Sequence, residues 1–414
     1  MPATSPAQRT ARNLQAIVAT TDVHSALDDV RPLLAHLHQA RTRALIVDCG
    51  DFFEGSGYYT LGRGVPERRL LAGLYDVLAP GNHGWHHHLQ PDLRPLTVCA
   101  NVTDARGVAL FRPLHRTTIA GLRVIISAVI GEQAFACVPA ADRAANRFVE
   151  PHTALNALRR AHGPPDGTSW IVLSHAGYEH DLALARACPH LDVIFSGHCH
   201  SDRHQPTVVG TTAVVKGYEL AAGYAQAVPA ADGWQTSVHH FASDVPASAV
   251  PAAWQPLLAD LEHLRRRLAA PLGHLATRFR HRPVNLAELL AATAGELRAR
   301  TGAPAVLLNQ TCLRDTTLGH HLHVGDLLRL EPFGNRLITA SLPPRWAADP
   351  VALLTDLTRQ MGPIITAPDP LPAGLRHVLT THYLASTFLD STQPPSSMLL
   401  AEALQRLLTE AGPA

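Results

Sequence analysis

Lysine is nearly missing from these 414 residues: Lys216 is the only one, and every other member of the lysine and arginine pair is arginine. Beside so much Ala, Leu and Pro, that imbalance reads as a coding bias toward arginine. Charge of one sign is missing too. Lys+Arg 35 against Asp+Glu 34 leaves +1, which excludes the basic field of a nucleic-acid binder and any acidic tail. No run approaches the roughly 18 apolar residues of a membrane span. Met1–Leu14 is polar and lacks the apolar stretch of about 7 to 15 residues of a secretory signal. A cytoplasmic protein with neither a membrane nor a nucleic-acid partner is expected. The six cysteines, Cys49, Cys99, Cys137, Cys188, Cys199 and Cys312, show no paired spacing, so neither a disulfide framework nor a cysteine zinc knuckle is expected, and all read as free thiols.

What is present is a layered α/β pattern. The length exceeds one compact core, so two domains are expected. Short apolar runs at Gln15-Thr20, Ala44-Asp48, Val98-Val102, Arg123-Val129, Trp170-Ser174 and Val193-Ser196 read as strands buried on both faces. Helices are expected at His24-Gln39 and His152-His162, the latter closed by Gly163-Pro164-Pro165. The stretch 242–253 reads as a linker leading into a helix at Trp254-Leu268. The expected division is therefore 1–245, a linker and connecting helix at 246–270, and a smaller α/β unit at 271–414. That last unit should hold a helix near Leu286-Arg300, a strand near Ala305-Leu308 and a long irregular tail with Pro343, Pro344, Pro363, Pro368, Pro370 and Pro372. No repeat of solenoid period is visible.

Polar clusters follow the strands, where open α/β sheets gather their chemistry. They are Asp22-Val23-His24, Gly50-Asp51, Gly81-Asn82-His83, Ser174-His175 and Gly197-His198-Cys199-His200. In a chain with 26 histidines any one cluster has a plain explanation: a helix cap, a turn, a solvent histidine. Their joint occurrence in this order, each at a strand end, favours O and N ligands for divalent metals.

This series resembles the calcineurin-like metallophosphoesterase superfamily, whose five motif blocks appear in order over residues 15–225. The resemblance implies a four-layer β-sandwich flanked by helices. It implies one metal on Asp22, His24, Asp51 and His200 and a second on Asp51, Asn82, His175 and His198, with Asp51 bridging. The donor mix suits Mn, Fe, Co or Zn better than Mg. Two such ions, about 3.5 to 4 Å apart, would acidify a water and hold a phosphate for in-line attack. His83 is then the residue that assists the leaving oxygen. The family often orients that histidine with an Asp three residues on, where this chain has His86.

The C-terminal part resembles the substrate-binding domain of the 5'-nucleotidase and UDP-sugar hydrolase family through Asn309-Gln310-Thr311-Cys312-Leu313-Arg314 and Glu331-Pro332-Phe333-Gly334-Asn335. The first block keeps the ends of the family's Asn-Gly-Gly-Gly-Ile-Arg and loses its glycines. By that resemblance Phe333 and Tyr383 would stack on a base. Arg282, Asn309, Arg314, Asn335 and Asp390 would supply polar contacts, Asp390 only with a one-residue shift. A small phosphate ester, a nucleotide or nucleotide-like metabolite, is the expected substrate, and phosphomonoester hydrolysis the expected reaction; the drifted motifs point to an altered base and ribose pocket. A phosphodiesterase or pyrophosphohydrolase on a cyclic nucleotide or nucleotide sugar, and a binding protein without turnover, are the alternatives.

Overall fold

The apolar runs of the first half become strands sandwiched between layers. The computed structural model describes residues 12–163, 167–389 and 396–409. The chain divides into two compact units. The first runs to Phe53 and continues through Gly64–Val138 and Asp142–Ala259; the second holds Glu54–Arg63, Pro139–Ala141 and Asp260 onward.

In the first unit the strands are β1 Ala16–Thr20, β2 Ala44–Asp48, β3 Val77–Leu78, β4 Val102–Asp104, β5 His115–Ile119, β6 Leu122–Ile130 and β7 Asn146–Phe148. They continue with β8 Thr168–His175, β9 Val193–Ser196, β10 Thr207–Val209, β11 Thr212–Lys216, β12 Gly223–Ala230 and β13 Gly233–His240. One sheet has the order β13-β12-β1-β2-β3, the other β10-β11-β9-β8-β6-β5. The middle of each is parallel, as in β1 with β2 and in β6, β8, β9 and β11.

The sheets face each other. Ile17, Ala19, Leu45 and Val47 of the first meet Val124, Ile126, Leu173 and Phe195 of the second in one buried cluster. The alternate residues Ile125, Val129, Trp170, Val172 and Ile194 turn outward onto Leu155 and Leu158 of the helix Pro151–Ala161 and onto Tyr178 and Leu184 of the helix Tyr178–Ala187. Strand side chains alternate faces, so a strand covered on both sides must be apolar throughout. The helix Arg31–Ala40 lies on β2 with Leu33, Leu34 and Leu37 buried, which completes a helix, sheet, sheet, helix stack.

Two expected elements differ. The helix expected from His24 starts only at Arg31, because Asp22, His24 and Ser25 hold φ of 48°, 48° and 53°, a left-handed conformation no α-helix can use. The strand expected at Val98-Val102 is not continuous: Val98 makes an isolated bridge to Arg112, and only β4 pairs, with β7.

The second unit has a four-stranded sheet in the order Leu337–Ser341, His377–Thr381, Val306–Asn309, Ile364–Ala367. Val306 and Leu308 face Leu290, Ala294 and Leu297 of the helix Leu286–Thr301. Ala305 and Leu307 face Leu353 and Leu357 of the helix Pro350–Met361. The irregular tail expected here is thus overturned. Pro344 and Pro350 open helices at the first position, where the missing N–H costs nothing, and strands and helices continue to Leu408. The connecting helix spans Gln255–Leu268. Among the described residues all six cysteines are free, and no helix is long and apolar enough to cross a membrane.

Leu173 is fully buried where the two sheets meet. Leu173→Ala should therefore cost about 2 to 5 kcal/mol, read as a lower denaturant midpoint at unchanged slope. A shift equivalent to less than about 0.5 kcal/mol, the size of a surface substitution, would contradict this packing.

Candidate metal centre

The strand ends of both sheets converge their loops on one buried spot. Asp22 N–H donates to Gly50 O at 3.1 Å, His24 N–H to Asp51 O at 2.9 Å and Ser25 N–H to Phe52 O at 2.9 Å, which laces the loops after β1 and β2 together. Asp22, His24, Asp51 and His198 all have positive φ. Such conformations are costly for side chains other than glycine's hydrogen and cluster at functional sites. Gly81 is required for a different reason: a Cβ there would lie 2.0 Å from Asp51 Oδ1.

Asp22, His24 and His200 bring ligand atoms within 4.8 Å of one another, and so do Asp51, His175 and His198, and His24, Asp51 and His83. His175 Nε2 is 3.2 Å from Asp51 Oδ2 and 3.3 Å from Asn82 Oδ1, which adds the asparagine to the second group. All the expected ligands are therefore neighbours, and Asp51 reaches toward both sides: His24 Nε2 is 3.9 Å away and His83 Nε2 3.9 Å. Asp22, Asp51 and His175 are buried, whereas the His200 side chain is 52% exposed, so one end of the cluster opens to solvent.

The electrostatics favour a cation here. Burial and the neighbouring Asp51 raise the Asp22 carboxyl, against the pull of His175. Burial would also raise Asp51, yet His175 and His83 outweigh it and hold it well below the usual carboxylate range. Burial alone would lower His175, but Asp51 beside it lifts the imidazole to about 9. Two buried acids drawing positive charge to one point, ringed by imidazole and amide donors, fit divalent first-row ions in chemistry. His175 Nδ1–H donates to Cys49 O at 2.9 Å, which leaves Nε2 facing the cluster as the nitrogen that would bind a cation on losing its proton.

His83 uses its backbone N–H to hold Asp51 Oδ1 at 2.9 Å, and its side chain is 22% exposed. His86 is half exposed. Its ring lies 4.0 Å from that of His87, and its Nδ1 3.9 Å from Asp142 Oδ2. Several supporting residues escaped the sequence reading. Gln133 Oε1 contacts His198 Nε2. Glu219 contacts both His200 and Lys216. Asp181, raised to about 7 by burial, accepts from Ser174 just before His175. Asp48, raised to about 8 by burial, accepts from Thr20 and from Gly50 N–H beneath Asp51. The lone lysine was a signal for the Glu219 contacts; nothing in the local sequence marks Gln133.

In the second unit Arg314 lies over the Phe333 ring, 5.0 Å from its centroid, and donates to Thr311 O. Asn309 is buried and donates to Thr311 Oγ1 at 2.8 Å. Asn335 is buried and donates to Glu331 from both its backbone N–H and its amide, bracing the turn that carries Phe333. Tyr383 is half-buried in the core cluster with its ring edge-on to Phe388. Arg282 lines a cavity of about 370 Å³ with Arg278, Asn285 and Glu288. Asp390 lies outside the described residues.

Residues 16–202 match the calcineurin-like phosphoesterase family. The chain is 22% identical over 393 residues to the trifunctional nucleotide phosphoesterase protein YfkN of Bacillus subtilis (strain 168), covering 79% of this chain and 26% of that protein. It is 25% identical over 219 residues to the 5'-nucleotidase of Bos taurus, covering 45% and 38%. It thus spans well under half the length of these curated relatives. Its fold is similar to that of the 5'-nucleotidase precursor from Thermus thermophilus, with TM-score 0.70 at 22% identity over 97% of this chain and 98% of that one.

If two ions share Asp51, as the family resemblance implies, Asp51→Asn should lower bound metal at both positions and abolish turnover. Asp22→Asn should weaken one position only. Elemental analysis after metal loading checks this, and equal metal content in Asp51→Asn and wild type would contradict the bridging role.

Proposed function

We propose that this chain, which belongs to the calcineurin-like phosphoesterase family through residues 16–202 and so to the phosphoric ester hydrolases, cleaves the phosphomonoester of a nucleotide or nucleotide-like metabolite at a two-metal centre. The observation that carries the reading is the pair of ligand groups around Asp51. When bound, two such ions supply charge neutralisation for the phosphate and an acidified water.

The chain's own residues do the rest. Asp22, His24, Asp51 and His200 would hold one ion, and Asp51, Asn82, His175 and His198 the other. His83, whose backbone N–H donates to Asp51 and whose Nε2 stands 3.9 Å from the same carboxylate, is the residue we assign to hold a proton for the departing ester oxygen. The relatives' names point toward nucleotides. In the second unit Phe333, with Arg314 over one side, is the aromatic we assign to base recognition, and Tyr383 supports it.

The test is a phosphate-release screen over nucleotides, sugar phosphates and an aryl phosphate with Mn, Co, Zn and Mg. Release of inorganic phosphate and an alcohol is expected; a retained monophosphate as the sole product would favour the diesterase alternative. His83→Ala should keep the metal content and lower kcat by about 10² to 10⁴; loss in proportion to metal would remove the acid role. Phe333→Ala should lower kcat/KM for a nucleotide roughly tenfold or more, since base stacking contributes about 1 to 3 kcal/mol, while an aryl phosphate stays within a few-fold. Equal losses on both substrates would make Phe333 a packing residue.

A further inference from the structure

The single lysine of the chain is not on the surface. Lys216 ends β11 paired with Ser196 on β9 and is 1% exposed. Its ammonium donates to Ser201 O at 3.2 Å and to Glu219 Oε1. Glu219 in turn contacts Nδ1 of His200 through Oε2. One residue further on, Leu220 N–H donates to Asp22 O at 2.9 Å. The strap 216–222 therefore touches two of the three residues in the Asp22, His24, His200 group. It reaches the His200 imidazole through Glu219 and the backbone of the neighbouring Ser201 through Lys216. Leu220 and Ala221 hold φ of 52° and 57°, so the strap keeps an unfavourable backbone to make these contacts.

We propose that Lys216 and Glu219 are positioning residues for the metal position formed with His200, and for that position alone. This rests on the two-metal reading above. A carboxylate accepting Nδ1–H fixes the imidazole tautomer and leaves Nε2 as the electron-pair donor, and such partners typically set metal affinity by about 10- to 100-fold. His200, with half its side chain in solvent, has more rotamer freedom to lose than the buried His175, so it gains most from an anchor. Lys216 supplies what an exposed arginine could not. Its compact ammonium with three donors fits between a carbonyl and a carboxylate in a closed space, whereas a guanidinium needs a planar fork. In a chain that uses arginine for every other member of the lysine and arginine pair, this is the position where the head-group shape decides. Stability alone does not explain the pair, because a buried ion pair is often no better than an apolar pair of the same volume.

Wild-type full-length protein, Lys216→Met, Glu219→Gln and Glu219→Ala are stripped with chelator and titrated calorimetrically with Mn²⁺ and, separately, Zn²⁺, with elemental analysis at saturation. Wild type should take two ions. Lys216→Met and Glu219→Ala should keep one ion at wild-type affinity and bind the other about 10- to 100-fold more weakly. Glu219→Gln, whose amide oxygen can still accept from His200, should fall between. Both ions bound at wild-type affinity in Glu219→Ala and Lys216→Met overturns the inference, and equal weakening of both ions reduces the strap to a folding element. Wild type taking fewer than two ions overturns the two-metal reading and the inference with it. If Lys216→Met fails to fold, judged by near-ultraviolet circular dichroism, the Glu219 pair decides.

Discussion

The structure turns on burying two carboxylates, Asp22 and Asp51, in the same small space. Isolated charge in such a place costs several kcal/mol, and the two acids repel each other as well. Every local oddity around them answers that demand. The left-handed residues turn the loops after β1, β2 and β9 toward the cluster. Gly81 leaves room against Asp51, and backbone N–H groups of His83 and His198 point at the carboxylates. The parallel middle strands of the two mixed sheets bring several strand ends to one point.

That demand also explains what was legible in the sequence. The candidate ligands and their order could be read because each follows an apolar run, and β2 and β9 fall where those runs place them. The boundaries around the site could not. A helix signal from His24 onward is overridden by backbone geometry that only tertiary contacts justify. The supporting partners were hidden for the same reason: Gln133, Asp181 and Glu219 lie far along the chain or carry no motif, and only the fold brings them to His198, Ser174 and His200.

The second unit shows the opposite failure. Its prolines read as interruptions, yet two of them begin helices, because proline at a first helical position gives up no hydrogen bond. The residues matched to nucleotide recognition divide by burial. Asn335 and the amide N–H of Asn309 make internal hydrogen bonds, while Arg314 and Phe333 remain partly open to solvent. A motif that keeps its residue types can therefore serve the turn that presents an aromatic ring as well as anything the ring would touch.

The burial of Lys216 has a chemical corollary. Acylating or carbonyl reagents directed at lysine meet no side-chain amine on the folded surface of this protein. Modification of Lys216 requires the strap 216–222 to open first. With one target and no background from other lysines, the rate of its acylation under native conditions becomes a clock for that local opening, readable by mass on a single peptide.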